Sequence, residues 1–427
     1  MFPLHERSRK RICRAGFLAL CILPTLGVVA WCAWHALPGR HLAVARELSA
    51  ITQFEVSLEE ASHPLPGTTH YHNIGLFDPE TGRPLARTAM VKQTHGEQSE
   101  IVSAAALALD PRGLPMLVER VVESLREAEG STMRVRLDRL TLEPLDVPPA
   151  RSAASDGHAA RRNVATLFDI QCGTDYFPDG AHGWVRFALD AETAAQRVQV
   201  RVLRDRSGTS PATVVELDTG GAELPCSLAA PLWPALGNLG TQCRFQGKLT
   251  LWPSPQGTSG RFEGTLSGVD LGQLVGHTLG QRLTGLAQVR IHSATLYRGR
   301  LEELDAEIAA GPGEIPLQML AAGLQWLDLA AQGMAAEGAS TVAYQQLAAR
   351  VLLDGTGLAL TGACNGASPG AVLVSDLLSL RRKTEAKLPV AALTAVVNVR
   401  GDSTLPLSRE AASLARLLPL PSTKPAR

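Results

Sequence analysis

The pattern closest to an enzyme nucleophile is the GASPG segment at residues 366–370, which matches G-x-S-x-G. In hydrolases with this pattern, the backbone N–H of the residue after serine helps to bind the oxyanion. Here that residue is Pro369, which has no N–H, and residues 371–374 are typical of a short strand. We therefore interpret the segment as a turn.

Histidines supply the only spacing that suits a metal. His70 and His72 would present two imidazoles on one face of a strand, and His63 and His95 are the nearest residues that could complete a site. No HExxH motif and no acidic cluster accompany them. Exposed histidines on a polar strand face are the favoured interpretation, and the sequence predicts no metal and no cofactor.

Other catalytic patterns are incomplete as well. The sequence has no complete phosphate-binding loop and no CxxC motif. The carboxylates are scattered, and we interpret them as solvated charge: Asp175, Asp179, Asp205, Asp218, Asp305 and Glu307. The chain has 41 Lys+Arg against 41 Asp+Glu, which argues against nucleic acid binding through a strongly basic surface. The sequence therefore predicts a protein that is not an enzyme and does not bind nucleic acid.

The strongest signal is a membrane anchor near the N-terminus. Residues 15–37 contain no Asp, Glu, Lys or Arg, and as a helix they would cross a hydrocarbon core of about 30 Å. The alternative is a cleaved signal peptide, with residues 28–30 approximating a cleavage site. The side chains expected to mark the anchor are Ala15, Phe17, Leu18, Leu20, Ile22, Leu23, Leu26, Val28, Val29, Trp31, Trp34 and Leu37.

Positive charge before the anchor sets its expected orientation. Cations on this side keep the N-terminus in the cytoplasm, so the chain after residue 37 is expected on the periplasmic side of an inner membrane. The bilayer is therefore an expected partner. The topology-setting residues are Arg7, Arg9, Lys10, Arg11 and Arg14.

Four cysteines would then lie in an oxidising compartment, where an even number favours disulfides. Cys226 and Cys243 close the shortest loop and are the preferred pair, which leaves Cys172 with Cys364. Four buried free thiols are the alternative.

Hydrophobic positions alternate with polar ones along most of the remaining chain, which predicts strands with one apolar face. We expect an α+β, β-dominated fold: an N-terminal transmembrane helix, then a long curved antiparallel sheet, as a groove or open sandwich, with a few short helices. Helices are expected at residues 114–128 and 227–239, among others. An apolar groove and an ordinary packed core both fit the candidate apolar residues Phe245, Leu249, Leu251, Phe262, Leu266, Val289, Ile291, Leu304 and Ile308.

The chain divides at changes of composition. We expect a cytoplasmic tail at 1–14, the anchor at 15–37, an α+β region at 38–147, a linker or exposed loop at 148–162, a β-rich region at 163–418 and a disordered tail at 419–427.

Several short phrases resemble the AsmA-like family of inner-membrane-anchored periplasmic proteins, which are related to bacterial bridge-like lipid-transfer proteins. They are YHNIGLFDPETG at 71–82, FEGTLSGVDL at 262–271, LTGLA at 283–287 and GRL at 299–301. The general strand-rich pattern of the family extends over most of residues 54–399. This resemblance implies a β-rich groove that serves lipid homeostasis. The family has no catalytic residues that could be assigned to positions of this sequence.

Two functions are therefore expected, and an anchored periplasmic hydrolase is a third, less favoured alternative. The first is a non-catalytic periplasmic protein that handles lipid acyl chains or organises the cell envelope through an apolar groove. The second is a structural or adaptor subunit of an envelope or secretion assembly that binds protein partners. An open groove favours lipid, whereas a filled sandwich with an exposed edge strand favours an adaptor.

Overall fold

A computed structural model describes residues 10, 14–35, 40–65, 67–96, 99–126, 132–145, 165–192, 195–275, 283–333, 339–365, 368–397 and 415–419. Several expectations concern residues outside these ranges. They are Arg7, Arg9, Arg11 and Leu37, the segments 148–162 and 420–427, and the side chains of Trp31 and Trp34.

Helices are short in the described chain. A π-helical turn, Leu18–Ile22, leads directly into α1 (Leu23–His35), and α2 (Arg40–Thr52) follows. Among the described residues, no helix combines the length and apolar character needed to cross a membrane. The other helices are α3 (Leu114–Ser124), α4 (Cys226–Ala229), α5 (Leu271–Val275), α6 (Leu317–Trp326) and α7 (Ala391–Val397), with 3₁₀ turns at Pro111–Gly113 and Pro234–Leu239.

Strands dominate the structure, as the sequence predicts. They are β1 (Glu55–Ser57), β2 (Glu60–Leu65), β3 (Thr68–Phe77), β4 (Pro84–His95), β5 (Glu100–Leu109), β6 (Met133–Leu142), β7 (Ala165–Phe177), β8 (Gly180–Ala188), β9 (Arg197–Asp205), β10 (Ala212–Asp218), β11 (Leu224–Pro225), β12 (Arg244–Trp252), β13 (Ser259–Asp270), β14 (Leu286–Tyr297), β15 (Arg300–Ala310), β16 (Gly313–Pro316), β17 (Leu329–Gly333), β18 (Thr341–Tyr344), β19 (Gln346–Asp354), β20 (Gly357–Gly362), β21 (Leu373–Val374) and β22 (Leu378–Arg382).

One sheet contains 20 of the described strands, and it is built largely from hairpins between sequence neighbours. β1 and β2 pair with one edge of β3, and the sheet then continues strand by strand from β3 to β10. It goes on through β12, β13, β14, β15 and β19 to β20 and β21, and ends with β22 and β17. β16 and β18 form a separate pair.

The sheet is mixed, which corrects the expectation of a purely antiparallel one. β5 and β6 pair in parallel because the chain between them crosses over through α3 instead of reversing in a tight turn. The helix expected at 114–128 is therefore this crossover helix, Leu114–Ser124. The helix expected at 227–239 is split into α4 and a 3₁₀ turn, since Pro231 and Pro234 interrupt a continuous helix.

The largest core lies under α6, at the C-terminal end of the sheet. There Met319 and Leu320 of the helix pack with residues of the sheet such as Ala287 and Ala349. Smaller apolar clusters continue along the same sheet toward β5. The C-terminal end of the sheet is thus thick, because α6 covers it, and the end near β5 is thinner.

Asp110 fixes the point at which β5 stops and the crossover begins. Its side chain is 3% exposed and accepts hydrogen bonds from the Arg112 amide (2.9 Å), the Arg112 guanidinium (3.2 and 3.0 Å) and the Leu145 amide (3.3 Å). Burial alone would raise the pKa of Asp110, but these hydrogen bonds hold the pKa below its ordinary value.

This lowered pKa predicts a pH-dependent contribution to stability. A carboxylate with a lower pKa in the folded state stabilises the fold above its unfolded pKa of about 3.9, and the contribution is lost as the pH falls through the folded pKa. Asp110→Asn should lower the free energy of unfolding by about 1–3 kcal/mol at neutral pH. Denaturant unfolding should show the deficit shrinking below about pH 4. An equal deficit at both pH values would contradict a role for the charge.

Candidate functional site

The N-terminal helical segment exposes apolar side chains on all sides. Phe17, Leu20, Leu23, Leu26 and Val29 are each more than half exposed, which a water-soluble surface helix avoids. Lys10 and Arg14 lie before it. The segment therefore requires an apolar partner.

An unbroken apolar row crosses the sheet. Residues directly opposite each other on paired strands project from the same face, and here twelve strands each place one apolar side chain in register. At about 4.8 Å per strand the row is roughly 50 Å long. This apolar row consists of Val102, Val135, Cys172, Val185, Val200, Leu217, Leu249, Phe262, Ala294, Leu304, Leu353 and Leu358.

Burial changes along the apolar row. The eight residues from Val102 to Phe262 are half-buried, whereas Ala294, Leu353 and Leu358 are buried. The first part thus keeps apolar surface accessible, and the second part is covered like an ordinary core. An apolar ligand could contact the sheet from β5 to β13, a distance of about 34 Å.

All nine residues expected to line a groove project from this apolar face. Leu249, Phe262 and Leu304 belong to the apolar row itself. Phe245, Leu266, Val289 and Ile308 form a second row in register with one another, beyond the pairing of Gly247 with Gly264, and pack against the core under α6. Ile291 is buried, and Leu251 lies next to Leu249 on the same face of β12. The sequence identifies the apolar face here, but much of this stretch is already covered by the protein.

The accessible part of the face was not apparent from the sequence. Val135 and Val200 have polar neighbours on both sides, and Cys172 and Val185 have one on one side, so the sequence of each strand indicates one apolar face. Their alignment across strands depends on the register, which periodicity along one strand does not specify.

The crossover helix α3 lies against this accessible face. Leu114 and Leu117 pack on the cluster that contains Leu107 and Leu140. Just after the helix, Leu125 is 1% exposed and packs against Gly183 of β8, where an added Cβ would lie 2.9 Å from Leu125 Cδ1. The helix thus begins over β5 and β6 and ends over β8.

Hydrogen bonds hold the end of the crossover helix in this position. Arg206 donates to the Leu125 carbonyl at 2.9 Å, and the Tyr176 hydroxyl donates to the Ser124 carbonyl at 3.3 Å. Val118 and Val121 remain exposed on the helix, at 42% and 48%. The helix and the half-buried sheet face together offer two apolar surfaces at one site.

The opposite face of the sheet is polar and carries cross-strand ion pairs. Arg134 pairs with Asp175 at 2.5 Å, and Lys248 pairs with Asp218 at 3.6 Å. Farther along, Arg350 pairs with Asp305 at 2.9 Å and His292 lies 3.4 Å from Glu307. Several carboxylates considered as catalytic candidates are therefore held in surface ion pairs.

The remaining catalytic candidates do not assemble into a site. His70 lies opposite Lys92 and His72 lies opposite Met90, and the described residues contain no group of three metal-ligating side chains. His95 lies 3.9 Å from Glu100. Ser368 lies in a turn, in which its carbonyl accepts a hydrogen bond from the Ala371 amide; Gly366 and Ala367 are outside the described residues.

The cysteines occupy two different settings. Cys226 and Cys243 are buried in the main core with their Sγ atoms 2.7 Å apart, and their mutual hydrogen bond and burial raise the pKa of Cys226. Cys172 lies on β7 and Cys364 follows β20, nine strand positions away, so the expected Cys172–Cys364 pairing is corrected: about 40 Å of sheet separates them. Burial raises the pKa of Cys172 to about 11.

No known family model and no curated protein matches this sequence.

The thiol geometry predicts one disulfide. In an oxidising compartment, Cys226 and Cys243 should be bonded, and the bond should add about 3 kcal/mol to stability by closing a short loop. Peptide mapping of the protein, purified without reductant and alkylated after denaturation, should find this pair linked. Cys172 and Cys364 serve as internal controls and should be alkylated. Alkylation of all four would contradict the pairing.

Proposed function

We propose that this chain is a membrane-anchored, non-catalytic protein of the periplasmic side, similar to AsmA-like proteins, which holds lipid acyl chains against the apolar face of its sheet. The single observation that carries the proposal is the half-buried part of the apolar row, from Val102 to Phe262. Apolar surface that is continuous, elongated and accessible suits a long, flexible hydrocarbon.

Three features support acyl chains over a compact ligand. The half-buried part of the apolar row is long and narrow: it extends about 34 Å across the strands and is one to a few side chains wide. Its described lining from Val135 to Phe262 carries no charge, and the neighbouring register contributes Val202, Val215 and Leu251. The crossover helix supplies Val118 and Val121 beside it.

The exposed apolar helical segment supports the membrane part of the proposal. Its cationic flank favours an N-terminus in the cytoplasm and the sheet on the outer side of an inner membrane. In this arrangement α2 follows the membrane segment and contacts the start of the sheet, where the Val56 amide donates to Ser49 Oγ at 2.9 Å. A lipid leaving the bilayer would then meet the sheet near the strands that carry the accessible row.

Site-specific photo-cross-linking tests the lipid proposal in cells. A photo-reactive amino acid at Val200 should give adducts whose added mass is that of a phospholipid. The matched control is the same amino acid at Arg201, the next residue on β9, which faces the polar side. It should give at least several-fold fewer lipid adducts.

Blocking the row provides the second arm of this test. Leu249→Gln places a polar amide on the row, and Thr250→Gln places the same amide on the opposite face of β12. Only Leu249→Gln should lower the lipid adduct yield at Val200. Adducts with a protein at Val200, and none with lipid, would overturn the proposal in favour of an adaptor subunit.

A further inference from the structure

Charge is distributed unevenly along the sheet although the whole chain has no net charge. Strands β3 to β9 contain nine Lys and Arg against five Asp and Glu. Strands β10 to β15 with β19 and β20 contain six Lys and Arg against nine Asp and Glu. The end of the sheet that follows the N-terminal helices is therefore basic, and the stretch from β10 to β20 is acidic; beyond that stretch, β22 carries Arg381 and Arg382.

A row of cations without carboxylates concentrates this positive charge. In register across β4 to β8, the polar face presents Lys92, Ser103, Arg136, Gln171 and Arg186, which we term the basic row. The next residues in the same register are Gln199 and then Asp218, the first acid. At about 4.8 Å per strand, Lys92 and Arg186 are roughly 19 Å apart.

The cations of the basic row are available for an external anion. None of the ion pairs formed by the described residues includes Lys92, Arg136 or Arg186. Of the neighbouring acids, Asp169 and Asp175 are paired with Arg197 and Arg134, and Asp138, two residues from Arg136 on β6, is exposed and in none of these ion pairs. Among the cations from β10 to β20, Lys248 and Arg350 are paired within the sheet, whereas Arg244, Arg261, Arg290 and Arg300 are in none of the ion pairs of the described residues.

An aromatic side chain lies beside the basic row. Trp184 is half-buried on the polar face of β8, and the guanidinium carbons of Arg134 and Arg186 lie 5.7 and 5.3 Å from its ring centre. Tryptophan with neighbouring cations is typical of surfaces at the level of lipid head groups.

We infer that the basic row docks the polar face of β4 to β8 on an anionic bilayer surface. The inference rests on the membrane anchoring proposed above, because that anchoring places this end of the sheet, and not the acidic stretch from β10 to β20, next to the bilayer. A flat row of unpaired cations fits a plane of anionic head groups, to which each basic side chain contributes about 1 kcal/mol. The acidic stretch from β10 to β20 would be repelled, which favours docking through the basic row.

Vesicle flotation tests this docking with the full chain held in nanodiscs of phosphatidylcholine, so that the anchor is already occupied. The nanodisc-held protein should co-float with vesicles of equimolar phosphatidylcholine and phosphatidylglycerol at low salt. It should not co-float with vesicles of phosphatidylcholine alone, and added salt should release it because the contact is electrostatic.

Matched variants distinguish the contribution of the basic row to vesicle binding from the effect of the overall charge of the protein. Arg136→Gln with Arg186→Gln should weaken binding to the anionic vesicles roughly 30-fold. Lys248→Gln with Arg350→Gln removes the same charge from the same face in the acidic stretch and should change binding less than about threefold. If the Arg136→Gln and Arg186→Gln double variant does not fold, the single variant Lys92→Gln tests the same basic row. It should weaken binding to the anionic vesicles about fivefold.

The outcomes are distinct. Equal binding to neutral vesicles, or an equal loss in the control variant, would overturn the docking. Binding to poly-glutamate with no binding to anionic vesicles would overturn it in favour of an acidic protein partner. Failure to enter nanodiscs would instead count against the anchor, and flotation of the free full chain would then test the basic row directly.

Discussion

The backbone hydrogen-bond register between strands is the constraint on which the apolar face depends. Side chains alternate along a strand, so a slip of one residue at any pairing would move that strand's valines and leucines to the polar side. Eleven successive pairings keep the apolar row in register, in spite of register shifts between β7 and β8, between β13 and β14 and between β14 and β15. Cross-strand ion pairs such as Arg134 with Asp175 fit the same register from the opposite face.

Coverage of the apolar face differs between its two ends for a topological reason. Toward the C-terminus, α6 follows the short β16 and packs its apolar side onto the sheet, which produces a closed core. Toward the N-terminus, the crossover between the parallel strands β5 and β6 supplies the helix whose contacts include Leu114, Leu117 and Leu125. One sheet thereby combines an ordinary core with an accessible apolar surface.

The sequence predicts the strands and their apolar faces well, because both follow from local alternation. At Arg298 and Gly299, positive φ angles of 52° and 80° allow the tight hairpin between β14 and β15. The sequence does not predict the parallel pairing of β5 with β6, which is a non-local contact. The separation of Cys172 from Cys364 likewise depends on strand order, so counting cysteines could not exclude their pairing.

The accessible part of the candidate site was missed for the same reason. Val102, Val135 and Val200 are unremarkable within their own strands, and only the register joins them into a row. The charge asymmetry of the sheet is likewise hidden in a composition with equal numbers of acids and bases. Local pattern therefore identifies the faces of this protein, whereas the pairing of distant segments determines what each face can bind.

The most direct test of lipid holding is a density map of the full chain in lipid nanodiscs, obtained by electron cryomicroscopy. Elongated density that is not protein should lie along Val135, Val185 and Val200, next to the crossover helix. A polypeptide segment packed along the same residues would contradict a lipid-holding face, since the apolar row would then be a protein core or a protein interface.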